Sequence, residues 1–229
     1  MCLKPKLKSI NGGYILFIDD KEVKTPENLS FNFNEKNLPE LILKEVKRFK
    51  YKHLNQSIYY KIFSIAKDKF FVDKQKYIDE VMKYINTDLI CYWEKKPKDL
   101  YTLQLENWKL ELDKLKNEEL SFNYTFSILP IKQNNISIKL LKKKLIKLDD
   151  INLACLLIVT KISSSLLLAY LFITDKIKPN QLFKNTYLHE IWQSNKWGIV
   201  EEEKQKREND LLTFKKIYKL IKINYEQNK

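Results

Sequence analysis

Glycine is nearly missing from this chain: only Gly12, Gly13 and Gly198 occur in 229 residues. Phosphate-cradling loops, dinucleotide fingerprints and nucleophile elbows need several glycines where backbone meets ligand, so none of them can be built here. That excludes most nucleotide-using enzymes. Histidine is as scarce. His53 and His189 have no second histidine or cysteine at ligand spacing, which argues against a zinc site. Cys2, Cys91 and Cys155 are odd in number, widely spaced and without a CxxC pair, so disulfides are not expected and a reducing compartment fits. Arginine is confined to Arg48 and Arg207. The opening residues, MCLKPK, are too few and too polar for a secretory signal and lack the arginines of a transit peptide.

What is present is apolar and basic. A hydrophobic fraction of 44% and an aromatic fraction of 13% exclude a disordered chain, and the length suits one large domain or two small ones. The net charge of +13 has two readings. It can serve a basic helical RNA-binding or ribosome-associated protein, or it can reflect lysine spread over ordinary solvated faces. Arginine, the usual reader of phosphates and guanines, is the residue that is lacking. The most apolar tract, 151–174, is about long enough to span a bilayer, but Lys161 sits in its middle, which costs roughly 3 kcal/mol on insertion scales. Two buried helices broken near Ser163, Ser164 and Ser165 are expected instead, without membrane insertion.

The pattern along the chain changes once. Tyr14 to Ile18 reads as a strand, Asp19, Asp20 and Lys21 as a turn, and Glu22 to Lys24 as its returning partner. Leu29, Phe31 and Phe33 alternate with polar residues as a third half-buried strand. After Pro39, Leu41, Ile42, Glu45, Val46 and Phe49 take helical spacing, and 58–66 and 77–85 give two more helical stretches. From Pro97 onward nearly everything is helical. Ile138, Leu141, Leu145 and Leu148 form one apolar stripe beside Lys142, Lys143, Lys144 and Lys147. Asp149 and Asp150 start the next helix, where the dipole favours negative charge. Pro179 opens another that runs to Gly198. Glu201, Glu202 and Glu203 begin the last, with Leu211, Phe214, Tyr218 and Ile221 inward. The division expected is 1–93 and 94–229.

No catalytic constellation is readable. Leu100, Gln104 and Trp108 recur at i, i+4 and i+8 after the run Thr87 to Trp93, which reads as a surface for another protein or as the join between the two parts. On a single helix from Pro179, Phe183, Tyr187 and Ile191 share one arc, and Leu188 and Trp192 widen it. Glu190 falls at its edge, either as a structural ion pair or indole partner or as an anchor for a partner protein. His189 points away from that arc as an exposed residue with no nucleophile beside it. Ser163 to Ser165 have no base or oxyanion loop and read as small residues where helices cross.

In order along the chain, these stretches resemble the assembly chaperone family of F-type ATP synthase that binds the alpha subunit of the catalytic head. Tyr14 to Pro26 resembles its opening strand, aspartate turn and Lys-Thr-Pro ending. Ser64 to Asp68 resembles its alanine-containing helix ending in aspartate. Tyr84, Thr87, Asp88, Cys91, Tyr92, Pro97, Leu100, Gln104 and Trp108 fit its central signature. Ser165 to Ala169 resembles its serine-then-leucine helix, and Glu190, Trp192, Gln193, Trp197 and Gly198 its C-terminal elements. The chain departs from the pattern at Asp20, where a glycine is usual, at Glu45-Val46 in place of Glu-Trp, around Ser57-Ile58, where Met-Pro is missing, and at Trp93, where an arginine is usual.

The resemblance implies an α+β fold: a small two-layer α/β N-terminal domain followed by an all-helical orthogonal bundle. It implies a chaperone and not an enzyme, with no cofactor or metal. The expected partner is the ATP synthase alpha subunit, not nucleic acid, and the free protein is expected to be a monomer. The expected contacts are Glu190, Trp192, Gln193 and Trp197, then Asp88, Tyr92, Gln104 and Trp108. Bacterial cytoplasm is the expected location, or the mitochondrial matrix in a eukaryote.

Overall fold

A computed structural model describes residues 4–10, 12–34, 36–49 and 52–227, so Cys2 lies outside the described residues. The chain forms two compact units, Met1–Lys74 with Lys219–Lys229, and Gln75–Tyr218.

The first unit is built on an antiparallel sheet in the order β1 (Pro5–Ile10), β2 (Gly13–Ile18), β3 (Lys21–Glu22). The β2–β3 hairpin pairs Ile18 with Lys21, leaving two loop residues, Asp19 at φ 49 and Asp20 at φ 64. Two consecutive left-handed residues turn the chain with the twist the strands need. This is why glycine is at home where the chain has Asp20. Strand β1 carries no strand signal in the sequence, because Lys6 and Lys8 leave it only three apolar residues. The expected third strand is reduced to single bridges, Tyr14 to Phe33 and Lys24 to Ser30. Phe31 and Phe33 nonetheless turn inward, against Tyr60 and Phe63 at centroid distances of 5.6 and 5.1 Å.

Helix α1 (Asn37–Phe49) packs on β1 and β2 through Leu41, Ile42 and Val46. Glu45 is buried with them and accepts a hydrogen bond from the Ser57 hydroxyl. Ser57 also caps α2 (Ile58–Ser64) by accepting from the Tyr60 N–H. A π turn over Ile65–Lys69 follows, leading into α3 (Phe70–Met82), which is broken at Asp73 (φ −159, ψ 81).

The second unit is helical. Its centre is the pair α7 (Asp150–Ser163) and α8 (Leu166–Ile173). Every residue of α8 is buried, and each leucine removed from water there contributes roughly 2 kcal/mol. The expected break is present: Ser164 adopts φ 52 and Ser165 caps α8 by accepting from the Leu168 N–H. Around this pair lie α4 (Lys98–Gln104), a π turn (Leu105–Lys109), α5 (Leu110–Lys116), α6 (Asn135–Ile146), α9 (Pro179–Thr186), α10 (Leu188–Trp197) and most of α11 (Glu201–Gln227). Leu141 and Leu145 are the fully buried members of the α6 stripe, and Asp149 caps α7. The whole is an α+β fold with a three-stranded N-terminal sheet and helices to its C-terminus.

The run Thr87 to Trp93 makes its bonds inside this second unit. Leu89 N–H donates to the Ser164 carbonyl and Trp93 N–H to that of Thr125. Among the described residues, no helix is long and apolar enough to cross a membrane.

Candidate partner-binding site

Helix α10 presents two faces of different character. Glu190, Gln193 and Trp197 are spaced i, i+3 and i+7, which places them on one stripe, and all three are exposed. Trp197 is 73% exposed. Gly198 ends the helix at φ 87, a conformation an L side chain rarely adopts. Ile199 and Val200 follow at 43% and 64% exposure, prolonging the apolar edge.

Trp192 supports that edge from behind. It is 9% exposed, and its indole N–H donates to Asp99 Oδ2 at 2.9 Å. Lys196 Nζ lies 2.8 Å from the same oxygen and 4.4 Å above the indole ring. Lys196 and then the Trp192 indole hold the Asp99 carboxyl down at about 2. Trp197 stands perpendicular to Trp192 at a centroid distance of 5.5 Å, an edge-to-face contact of the preferred kind. The arrangement props an aromatic ring into solvent beside a carboxylate and an amide. Such a surface suits an apolar protein face with a polar rim.

Of the other four residues, three are interior. Asp88, Gln104 and Trp108 are 0% exposed, so in this conformation their side chains offer nothing to a partner. Asp88 accepts from the Ser165 hydroxyl at 2.6 Å and the Leu167 N–H at 3.0 Å, tying the segment before α4 to the start of α8. Trp108 donates to the Asn185 carbonyl at 2.9 Å. Tyr92 is half-buried and its hydroxyl donates to the Asn86 carbonyl. The spacing of Leu100, Gln104 and Trp108 thus marks a helical face packed inside the unit.

His189 differs from its expected place. It is half-buried, 2.8 Å from Gln104 Nε2 and 4.9 Å from the Trp108 ring. The reason is a break between α9 and α10 at Tyr187 (φ −105, ψ 22), which invalidates an arc drawn through one continuous helix. No proline or glycine announces that break. Burial, opposed by Glu190 and Glu94, lowers the His189 imidazole below its ordinary range. The same interior row continues to Glu111, fully buried, which accepts from Asn185 at 2.9 Å and Gln181 at 2.7 Å.

Among the described residues, no group of three or more His, Cys, Asp or Glu side chains could hold a metal ion. The thiols of Cys91 and Cys155 are buried, which pushes both upward, away from the reactive thiolate.

Comparison with known proteins decides the family. Residues 4–116 match the model of the ATP12 chaperone protein family. The stretch 4–116, just under half of the chain, is that of the ATP12 chaperone family. The protein is therefore a chaperone and not an enzyme. The fold agrees along nearly the whole length. The crystal structure of Atp12 from Paracoccus denitrificans superposes with a TM-score of 0.82 at 19% identity, over 96% of each chain. A candidate chaperone from Agrobacterium tumefaciens superposes at 0.85 with 22% identity, over 95% of this chain and 83% of that one. No curated protein matches the sequence. Within the ATP12 family match lie Asp88, Tyr92, Gln104 and Trp108, whereas the α10 surface lies beyond it and is covered by the fold likeness alone.

Proposed function

We propose that this ATP12-family chaperone binds the unassembled alpha subunit of F-type ATP synthase and releases it as the catalytic head forms. The observation that carries the reading is Trp197, held out at 73% exposure on a helix of a family whose business is assembly. A subunit waiting to join a ring exposes obligate interface, which is more apolar than ordinary surface and prone to aggregate. A binder for it needs an aromatic anchor that water does not already satisfy and a polar rim that lets go. Trp197 with Ile199 and Val200 supplies the anchor, Glu190 and Gln193 the rim, and Trp192 the buttress. The free protein is a monomer in this reading, acting in bacterial cytoplasm or the mitochondrial matrix.

Co-expression with an alpha subunit tests it. The alpha subunit is expected to co-purify and to gain solubility. Trp197→Ala combined with Glu190→Ala is expected to cut that yield severalfold, because truncating a central aromatic anchor costs 2 kcal/mol or more of binding, at an unchanged melting temperature. An alpha subunit that neither co-purifies nor becomes more soluble sinks the reading.

A further inference from the structure

We propose that His189 and Gln104 form an acid-sensitive latch that holds α10 on α4, closed while the imidazole is neutral and opened by its protonation. The latch rests on proton accounting at two side chains and does not depend on the identity of any client.

Gln104 is completely buried and makes two contacts of fixed polarity. Its Oε1 accepts from the Glu94 backbone N–H at 3.1 Å. A backbone N–H can only donate, so the amide oxygen must face Glu94, and the amide NH2 therefore faces His189 Nε2 at 2.8 Å. Nε2 must then be the acceptor, which places the ring proton on Nδ1 and makes the imidazole neutral. Protonation puts a second N–H at Nε2, pointing at an amide that already donates. Rotating the amide by half a turn restores an acceptor for His189 but turns NH2 onto the Glu94 N–H. No orientation satisfies both, and the Gln104 amide, fully buried, has no access to solvent that could relieve the clash.

The groups around the ring come from both sides of the joint. Gln104 and the Trp108 ring, uncharged, face it from α4 and the π turn that follows. The charged groups are Glu190 on its own helix and Glu94 before α4, and both favour the cation. Burial outweighs them and lowers the imidazole. The second tie between the helices, Trp192 and Lys196 on Asp99, does not change in mild acid, since Asp99 stays ionised down to about pH 2. With a folded value below the unfolded one, the His189 contribution is complete above about pH 6.5. It is lost as pH falls through that value toward the folded one.

The full chain has only two histidines, so a proton NMR titration resolves them, with His189→Gln assigning the signal. Hydrogen exchange of α10 amides, compared with α7 amides at about pH 7.5 and about pH 5 after correction for intrinsic rates, reads the latch itself. His189 is expected to titrate below the ordinary histidine value, and α10 to lose protection in acid relative to α7. His189→Gln, an acceptor that does not titrate, is expected to abolish that loss. Gln104→Glu, whose carboxylate can accept from both neighbours, is expected to raise the His189 titration and keep α10 protected. A wild-type His189 titrating at or above the ordinary value overturns the proposal, as does an acid loss equal in wild type and His189→Gln. Where His189→Gln fails to fold, His53→Gln, at an exposed position, assigns the two signals instead, and the wild-type titration still decides the matter.

Discussion

Asp88 carries a carboxylate into an interior that offers it no water. Its oxygens receive the Ser165 hydroxyl and the N–H groups of Leu167 and Ile90, all needed where the segment before α4 meets the start of α8. Removing the acceptor leaves these donors buried, and each such orphan costs about 1–3 kcal/mol. Asp88→Ala is therefore expected to cost at least about 3 kcal/mol by urea unfolding. Burial outweighs the hydrogen bonds and pushes the carboxyl up to about 6. A folded value above the unfolded one, near 3.9, stabilises fully below about pH 4 and is lost as pH rises through about 6. The stability of the parent relative to Asp88→Asn is expected to fall by on the order of 2 kcal/mol between about pH 4 and about pH 7. A flat difference across that range would contradict the assignment. Such a residue was legible as part of a motif, but its role was not. A Thr-Asp pair before an apolar run looks the same whether the carboxylate meets a partner or caps a neighbouring helix.

At the scale of elements, the α7–α8 turn shows how much of the fold is written locally. The apolar tract reads as two helices broken near its serines because a lysine is unwelcome at a membrane centre, while the cap that Ser165 supplies to α8 is visible only in the structure. Ser164 takes the left-handed conformation at φ 52 with its side chain exposed, which costs a non-glycine residue about 1 kcal/mol. Ser164→Gly is expected to raise stability by up to about 1 kcal/mol, or a melting temperature higher by roughly 2–4 °C for a chain of this size. An unchanged or lower melting temperature would show that the strain is absorbed elsewhere. Other elements resisted local reading. Strand β1 is held by pairing with β2 in register from Pro5–Ile18 to Ile10–Gly13, a long-range cause that two lysines conceal. The stretch around Phe31 has strand alternation but only single bridges to pair with. The break at Tyr187 separates α9 from α10 with no turn residue to mark it.

At the scale of the molecule, the charge of +13 is a property of surfaces and not of a site. Within the helical unit, lysines lie beside carboxylates: Lys109 and Lys116 on Asp113, Lys142 on Asp79, Lys144 and Lys176 on Glu118. Local pairing of this kind weakens any continuous basic stripe for nucleic acid. A labelled RNA is expected to be retained only weakly at low salt and released by about 0.15 M, as screening of unspecific contacts requires. Tight binding that persists at that salt would restore the RNA-binding alternative.

By itself the sequence determined the class of this protein. Periodicity, scarce glycine and an ordered set of motifs sufficed for an α+β chain without phosphate loops and for its chaperone family, because these properties are local and survive wide divergence. Only the tertiary structure decided which tryptophans face water. Trp108 and Trp197 follow comparable helical spacing, yet one is enclosed at 0% exposure and the other stands out at 73%. Enclosure depends on what other elements bring alongside: α9 and α10 reach Trp108, whereas Trp197 meets the ring of Trp192 on its own helix, and no residue's immediate neighbours in the chain record that.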